Sequence, residues 1–240
     1  QLLLEAPLQM RKATIPEGLT RHETAGVLAR QGIVDSMRFV QLSEDRTFTA
    51  SLGIDEPTLE GYLFPETYLF SMESDEESVI RRLVKQFHDV MNAAALARLD
   101  TIGLSIHQAV TLASIVEQEA QAASERPLIA GVFLRRLSLN RRLESCATVE
   151  YALGVHKKRL TNTDLRVKSP FNTYRHRGLP PAPIGSPGKA SLIASLYPEK
   201  TEYLYFVARG DGTHIFSRTN VEHEAAKRQV KRLERSRQLN

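Results

Sequence analysis

Apolar residues recur at helical spacing over most of the chain and alternate in only a few places. From Asp75 to about Leu99 the positions Val79, Leu83, Val84, Phe87, Val90 and Met91 fall three and four apart, which predicts one amphipathic helix opened by acidic residues. Ser105 is placed to cap a more apolar helix running to Glu119. Ser124-Glu125-Arg126-Pro127 opens another, with Pro127 in its first turn and Ile129, Val132, Phe133, Leu134 and Leu137 along it. Leu143 to Leu153 reads as a turn entering a short helix stopped by Gly154, residues 189–197 as a helix, and Asn220 to Gln238 as a charged one. Near the start, residues 1–12 read as a strand or extended arm. Thr20 and Glu23 form a capping box for a helix reaching Gly32, and a second short helix begins near Asp35-Ser36. Tyr203–Ala208 and Thr213–Phe216, joined by Arg209-Gly210-Asp211-Gly212, predict a β-hairpin. The expected class is α+β: a small strand-and-helix module over residues 1–50, then a mainly helical domain over 51–240 with a short antiparallel hairpin sheet.

Two stretches break this texture. Residues 59–70 gather Tyr62, Phe64, Tyr68 and Phe70 around Pro65, either as core or as a surface on which sugars or bases stack. Residues 169–188 are dense in Pro and Gly, which predicts a long, stiff loop of the kind that carries function.

Composition narrows the chemistry. The net charge of +4 is a mild bias towards polyanionic surroundings, with Arg135, Arg136, Arg141 and Arg142 expected as a basic rim, either solvated or anion-binding. No nucleic-acid motif accompanies it, so nucleic acid is not an expected partner. A single cysteine, Cys146, excludes an internal disulfide framework. Paired with His176 or His214 it is a conceivable nucleophile without a local signature, and otherwise a small buried thiol. His214 and His223 are not expected to share a metal, and no phosphate-binding loop, zinc motif or Gly-x-Ser-x-Gly is present, so no cofactor is expected. The chain lacks an 18-residue apolar run and starts at Gln1-Leu2-Leu3-Leu4 without Met, which leaves room for an upstream anchor.

The sharpest chemical feature is Glu117-Gln118-Glu119 at the end of the apolar helix. Positions two apart point about 200° away from each other on a helix, so at most one faces a given cleft. A carboxylate held against an apolar wall has a raised pKa and keeps a proton for general-acid work. Solvated glutamates closing a core helix are the alternative, and both readings are open at this point.

Seven blocks together resemble the MltG/YceG-like endolytic murein transglycosylases: Glu-Gly-Tyr-Leu-Phe-Pro-Glu-Thr-Tyr (60–68), Ala-Ser-Ile-Val-Glu-Gln-Glu (113–119), Glu-Arg-Pro-Leu-Ile-Ala-Gly-Val-Phe-Leu-Arg-Arg-Leu (125–137), Ala-Thr-Val-Glu-Tyr-Ala-Leu-Gly (147–154), Ser-Pro-Phe-Asn-Thr-Tyr (169–174), Gly-Leu-Pro-Pro-Ala-Pro-Ile (178–184) and Tyr-Leu-Tyr-Phe-Val-Ala (203–208). The resemblance covers nearly the whole chain. It implies a LysM-like module over 1–50 and a YceG-like catalytic domain over 51–240. It also implies cleavage of the β-1,4 bond between N-acetylmuramic acid and N-acetylglucosamine in peptidoglycan strands, without water and with a 1,6-anhydro end. A single-pass anchor in the bacterial cytoplasmic membrane, this segment on the periplasmic side, and cell-wall synthases as partners are further implications.

For the site, the resemblance implies a catalytic Glu119, with Glu117 as the alternative. Asn172, Thr173 and Tyr174 are expected on the acetamido group or the developing charge. Glu66, Tyr62 and Tyr68 are expected along the sugar groove, loop 178–188 as its wall, and His214 and Asn220 at its floor. The chain departs from the family pattern at Ser145-Cys146-Ala147-Thr148, where many relatives carry an acidic residue and Pro before Thr-Val. An orienting role for that acid falls to Glu144 or is absent.

Overall fold

The computed structural model describes residues 9–157 and 160–238. The chain divides into two compact units, one holding the residues up to Leu96 with Gly185–Gly188, the other holding Ala97–Ile184 and the chain from Lys189 onward.

The first unit contains β1 (Met10–Thr14), α1 (Arg21–Arg30), α2 (Ser36–Ser43), α3 (Arg46–Ser51), β2 (Thr67–Ser71) and α4 (Glu76–Val90), and the dividing point falls within α5 (Ala93–Ile102). It reaches past the residue-50 boundary drawn from the sequence because β1 finds its partner beyond it. β1 and β2 are antiparallel, with Ala13 opposite Tyr68, and Ala13, Tyr68 and Phe70 face inward while Lys12 and Leu69 face out. The first eight residues of the strand or arm expected over 1–12 lie outside the described residues, and the strand itself is β1.

The expected capping box is present: Thr20 Oγ1 accepts from Glu23 N at 3.2 Å and Glu23 Oε2 accepts from Thr20 N at 2.8 Å. Asp35 caps α2 and Asp45 caps α3, a helix of six residues too short to show a periodicity. The single helix expected over 75–99 is two. Met91 leaves helical geometry, and the Asn92 side chain accepts from Ala94 N and Ala95 N at 3.1 and 3.2 Å, so a side-chain bond replaces the continuing backbone ladder. Segment 185–188 is tied into this unit by Gly18 N to Ser186 O and Ser186 N to Leu19 O, both 2.8 Å. Gly185, at φ +152°, has no room for a Cβ against Gly18 O.

The second unit is built around α6 (Ile106–Glu119), buried at every position from Ala109 to Val116. α7 (Arg126–Ser138), α8 (Cys146–Leu153) and α9 (Lys189–Leu196) pack on it. Leu112, Ile115, Val116, Ile129, Ala130, Phe133, Leu143 and Ile184 form one apolar cluster. Gly131 lets α7 approach the 197–201 segment closely: a Cβ there would overlap Glu199 O, whose own N–H donates to Pro127 O at 2.9 Å. β3 (Tyr205–Ala208) and β4 (His214–Ser217) form the expected hairpin, and α10 (Asn220–Gln238) lies against it. Among the described residues no single helix is long and apolar enough to cross a membrane.

Candidate active site

Ser105 starts α6 with a capping box to Gln108, and fourteen residues later the helix ends at Glu119. The chain turns away at Ala120, so the Glu119 side chain stands at the end of the buried helix. It opens onto a cleft of about 440 Å3 whose lining includes Ser145, Cys146, Tyr174, Phe206 and Asn220. Glu117, two residues earlier, is turned elsewhere: its Oε1 lies 3.2 Å from Arg126 Nη2, and Arg126 Nε donates to Ser191 Oγ at 3.1 Å. The 200° separation expected between the two glutamates is what sends one to the cleft and the other to a guanidinium.

Two opposed influences act on the Glu119 carboxyl. The protein packed around it raises its pKa from the ordinary carboxylate value, and nearby Glu150 adds to the rise. The hydroxyl of Ser145 donates to Glu119 Oε1 at 2.6 Å, and this bond, the charge of His214 and a backbone hydrogen bond from Ala147 favour the ionised form. The first influence is the largest, so the group holds its proton above the usual range. Its place at the C-terminal end of α6, where helix carbonyls disfavour an anion, works in the same direction.

The counter-influence comes from α8. Ser145 is the residue before that helix, the position from which a serine usually caps its own first turn, yet its hydroxyl makes no cap bond and is given to Glu119. A buried hydroxyl network fixes it there. Thr173 Oγ1 accepts from Ser145 N at 3.1 Å and shares a 2.8 Å bond with Thr148 Oγ1, which in turn donates to Ser145 O at 2.8 Å. Glu119 therefore sits beyond the N-terminal, electropositive end of α8.

Arg136 organises the cleft's walls. It is 6% exposed, and its guanidinium donates to the carbonyls of Leu204, Arg142 and Leu143 and to Glu144 Oε2. Its guanidinium also lies 5.0 Å from the Tyr205 ring centre, on which His223 stacks at 5.0 Å. His223 is pushed towards the neutral form, by burial first and by Lys227 next, and its buried Nδ1 has no hydrogen-bond partner among the described residues. Tyr174 hydroxyl and Cys146 Sγ are 3.2 Å apart. The surrounding protein raises both groups, so Cys146 remains a thiol and does not supply a nucleophilic thiolate. The described residues contain no group of three or more His, Cys, Asp or Glu suited to a metal ion.

Residues 1–229 match the model of the YceG-like family. The chain belongs to that family. It is 34% identical over 229 residues to a protein of Bacillus subtilis strain 168 named endolytic murein transglycosylase, covering 89% of this chain and 63% of that protein. A Streptococcus pneumoniae protein of the same name is 30% identical over 234 residues, covering 87% of this chain and 42% of its own. The chain thus spans less than two thirds of either relative's length. A crystal structure of a YceG-like protein from Listeria monocytogenes matches with a TM-score of 0.80 at 39% identity, over 89% of this chain and 74% of that one.

Family membership does not carry every expected contact into the cleft. Asn172 is fully buried, donating to Leu165 O and Val167 O at 3.0 and 2.9 Å and accepting from Tyr174 N at 3.0 Å, so its amide shapes the loop and has nothing left for a sugar. Thr173 is spent on the hydroxyl network. Of that triplet Tyr174 alone lines the cleft, and Asn220 lines it too. Tyr62 and Tyr68 are core residues of the first unit, 2% and 4% exposed. Tyr62 packs on Phe87, and the Tyr68 hydroxyl donates to Phe64 O at 2.7 Å. Glu66 is exposed and accepts from Thr67 N at 2.9 Å. The stretch 181–184 is fastened along α6 ahead of Glu119, by His107 to Pro181 O at 2.8 Å and Ile184 N to Ser114 Oγ at 3.0 Å, and it does not line the cleft. His214 lies behind the wall and is held by Glu125.

Ser145, Arg136, Tyr205 and His223 were not among the site residues that the resemblance implied. Ser145 stood beside the noticed departure, and the structure gives it the bond to Glu119, whereas Glu144 is turned to Arg136. Arg136 was read as part of an exposed rim. Nothing in a run of paired arginines distinguishes the one that folds inward.

Proposed function

We propose that the chain is the catalytic part of an endolytic murein transglycosylase, cleaving the β-1,4 bond between N-acetylmuramic acid and N-acetylglucosamine within peptidoglycan strands. The observation that carries this reading is Glu119: one carboxyl whose enclosure raises its pKa above the usual carboxylate range, which opens onto a cleft and is held by the Ser145 hydroxyl. Protonated Glu119 gives its proton to the glycosidic oxygen as the bond from C1 breaks. The resulting carboxylate takes the proton from the sugar's own C6 hydroxyl as O6 bonds to C1, so the product ends in a 1,6-anhydro ring and no water enters. The nucleophile is intramolecular and already near C1, which removes much of the entropic barrier.

A hydrolase of the usual kinds needs a second free carboxylate. The other carboxylate lining this cleft, Glu144, is bound to Arg136. An acid that must become a base within one turnover needs both protonation states within reach, and the opposition between enclosure and the α8 N-terminus supplies that balance. The names of the relatives support the substrate. On this reading the chain works outside the cytoplasmic membrane, tethered to it and beside the synthases that extend the strands it cuts, ending nascent ones.

The test is mass spectrometry of purified glycan strands after incubation with the protein and with its Glu119→Gln variant. Internal 1,6-anhydro ends with the first and a loss of at least about 100-fold with the second are expected. Reducing ends would instead mean hydrolysis. Intact strands that nevertheless bind would mean a non-catalytic scaffold. Anhydro ends made by the variant at an unchanged rate would remove Glu119 from the role.

A further inference from the structure

One wall of the cleft is a single face of α10. Asn220, His223 and Lys227 all line it, and residues at i, i+3 and i+7 of a helix fall within about 60° of one another. The middle residue is held in place through Tyr205. Its imidazole stacks on that ring at 5.0 Å and 21°, the Tyr205 hydroxyl accepts from Arg141 Nη2 at 2.7 Å, and the Arg136 guanidinium lies 5.0 Å from the ring centre. His223 is pushed towards the neutral form, so its ring carries one proton. Nδ1 is buried with no hydrogen-bond partner among the described residues. A buried N–H without an acceptor is the costlier arrangement, which puts the proton on Nε2, the nitrogen left to the cleft.

This wall is rich in donors: the carboxamide of Asn220, an imidazole N–H at His223 and the ammonium of Lys227. Lys227 Nζ reaches Glu224 Oε1 at 2.9 Å, but the two side chains are 49% and 47% exposed, so the pair is worth little, and an ammonium has two further protons to give. The nearby carboxylates have partners of their own, Glu144 in Arg136 and Glu222 in the N–H of Arg218. Seven residues separate Asn220 from Lys227, about 10 Å along the helix axis. An acetamido group is too short to meet all three donors, whereas an extended peptide of about three residues spans that length. We propose that this face of α10 is the subsite for the peptide arm of the substrate. Asn220 and His223 donate to carbonyl oxygens of the peptide carried on the lactyl group of N-acetylmuramic acid, and Lys227 pairs with one of its carboxylates. This rests on the murein reading proposed above and adds a selection to it, for peptide-bearing strands over stripped ones.

Selection of this kind can be read without catalysis. Binding is measured by calorimetry on the Glu119→Gln protein, which leaves the strands intact, using uncrosslinked glycan strands that keep their peptides and the same strands stripped by an amidase. The measurement is repeated with Lys227→Gln, Lys227→Arg or His223→Phe added, the last keeping a ring on Tyr205 and removing the N–H. Peptide-bearing strands are expected to bind about tenfold tighter than stripped ones. Lys227→Gln and His223→Phe should each lose about fivefold or more on the peptide-bearing strands and less on the stripped ones, and Lys227→Arg, which keeps the charge, should retain most of the preference. Lys227 is half exposed, so its variants read the subsite even if His223→Phe folds poorly. In the cleaving protein the same two changes should raise KM on peptide-bearing strands more than they lower kcat.

Equal affinity for the two kinds of strand overturns the proposal. So does a loss in Lys227→Gln and His223→Phe that is the same with and without peptides, which would make the α10 face a contact for the sugars. No binding of either strand overturns it together with the murein reading. Peptide-dependent binding that falls in these variants, beside a wild-type protein that cuts neither strand, supports the subsite and strikes the transglycosylase reading. Cleavage of both strands to anhydro ends at equal kcat/KM does the reverse.

Discussion

The hydroxyl of Ser145 donates to Glu119 Oε1 across 2.6 Å, joining the last residue of α6 to the residue that precedes α8. The bond favours the ionised form of a group that its surroundings otherwise keep protonated. Its removal should therefore be visible in both stability and rate.

Ser145→Ala is expected to cost about 1 kcal/mol of folding stability, the worth of one hydrogen bond, measured by denaturant unfolding. The alkaline limb of strand cleavage should move to higher pH in the same variant, since one of the influences lowering the Glu119 pKa is gone. A limb that stays in place would mean the hydroxyl does not touch Glu119 in solution.

The raised pKa of Glu119 has a fixed sign in stability. The folded state holds that proton to higher pH than the unfolded chain, whose glutamates titrate near about 4.3. Below that value the group costs nothing, and from there up to the folded pKa each rise in pH removes stability. Glu119→Gln cannot ionise, so its stability relative to wild type should climb across that window and level off above it. Paired thermal melts from pH 4 upward read this directly, and a constant difference would contradict the enclosure of the carboxyl.

Glu117→Gln should separate the two glutamates. It removes the charge facing Arg126 at a site where both side chains are largely enclosed, at 7% and 13% exposure, and should destabilise by roughly 1–3 kcal/mol. Cleavage per folded molecule should remain within about threefold of wild type, because the group does not reach the cleft. A loss as deep as that of Glu119→Gln would reverse the assignment.

Gly131→Ala tests the packing of α7. Alanine is the better helix former, yet its methyl would overlap Glu199 O, and backbone yields poorly. A net loss of about 2 kcal/mol or more in chemical denaturation is expected, and a stabilised variant would show that the 197–201 segment can move aside.

The elements with strong local signals were legible in the sequence. The capping box at Thr20, the Ser105 cap, the Pro127 start, the Gly154 stop at φ +66° and the hairpin all stand where residue chemistry puts them. The break between α4 and α5 was hidden because the apolar spacing of 79–91 runs up to it, and only the Asn92 side chain decides that the helix restarts. In the site, helix geometry required Glu117 and Glu119 to point apart, and the choice of Glu119 came from the family resemblance, not from the spacing. The roles of Asn172 and Thr173 were not legible. Both are polar residues in a loop of functional character, and only their partners, Leu165, Val167, Ser145 and Thr148, reveal that they are spent on holding that loop and the start of α8. The same holds for Tyr62 and Tyr68, where an aromatic-rich segment reads alike whether it lines a groove or fills a core.

Arg136 reaches three backbone carbonyls and one carboxylate from a single side chain. Those carbonyls belong to the approach to β3 and to the turn at 142–143, parts of the chain some sixty residues apart in sequence. Neither can fray alone without leaving a buried cation short of acceptors, so the two should open together. In native-state hydrogen exchange, the amides of the hairpin and of the turn before α8 would then report one common opening event. The floor under the Ser145–Glu119 contact would behave as a single cooperative block.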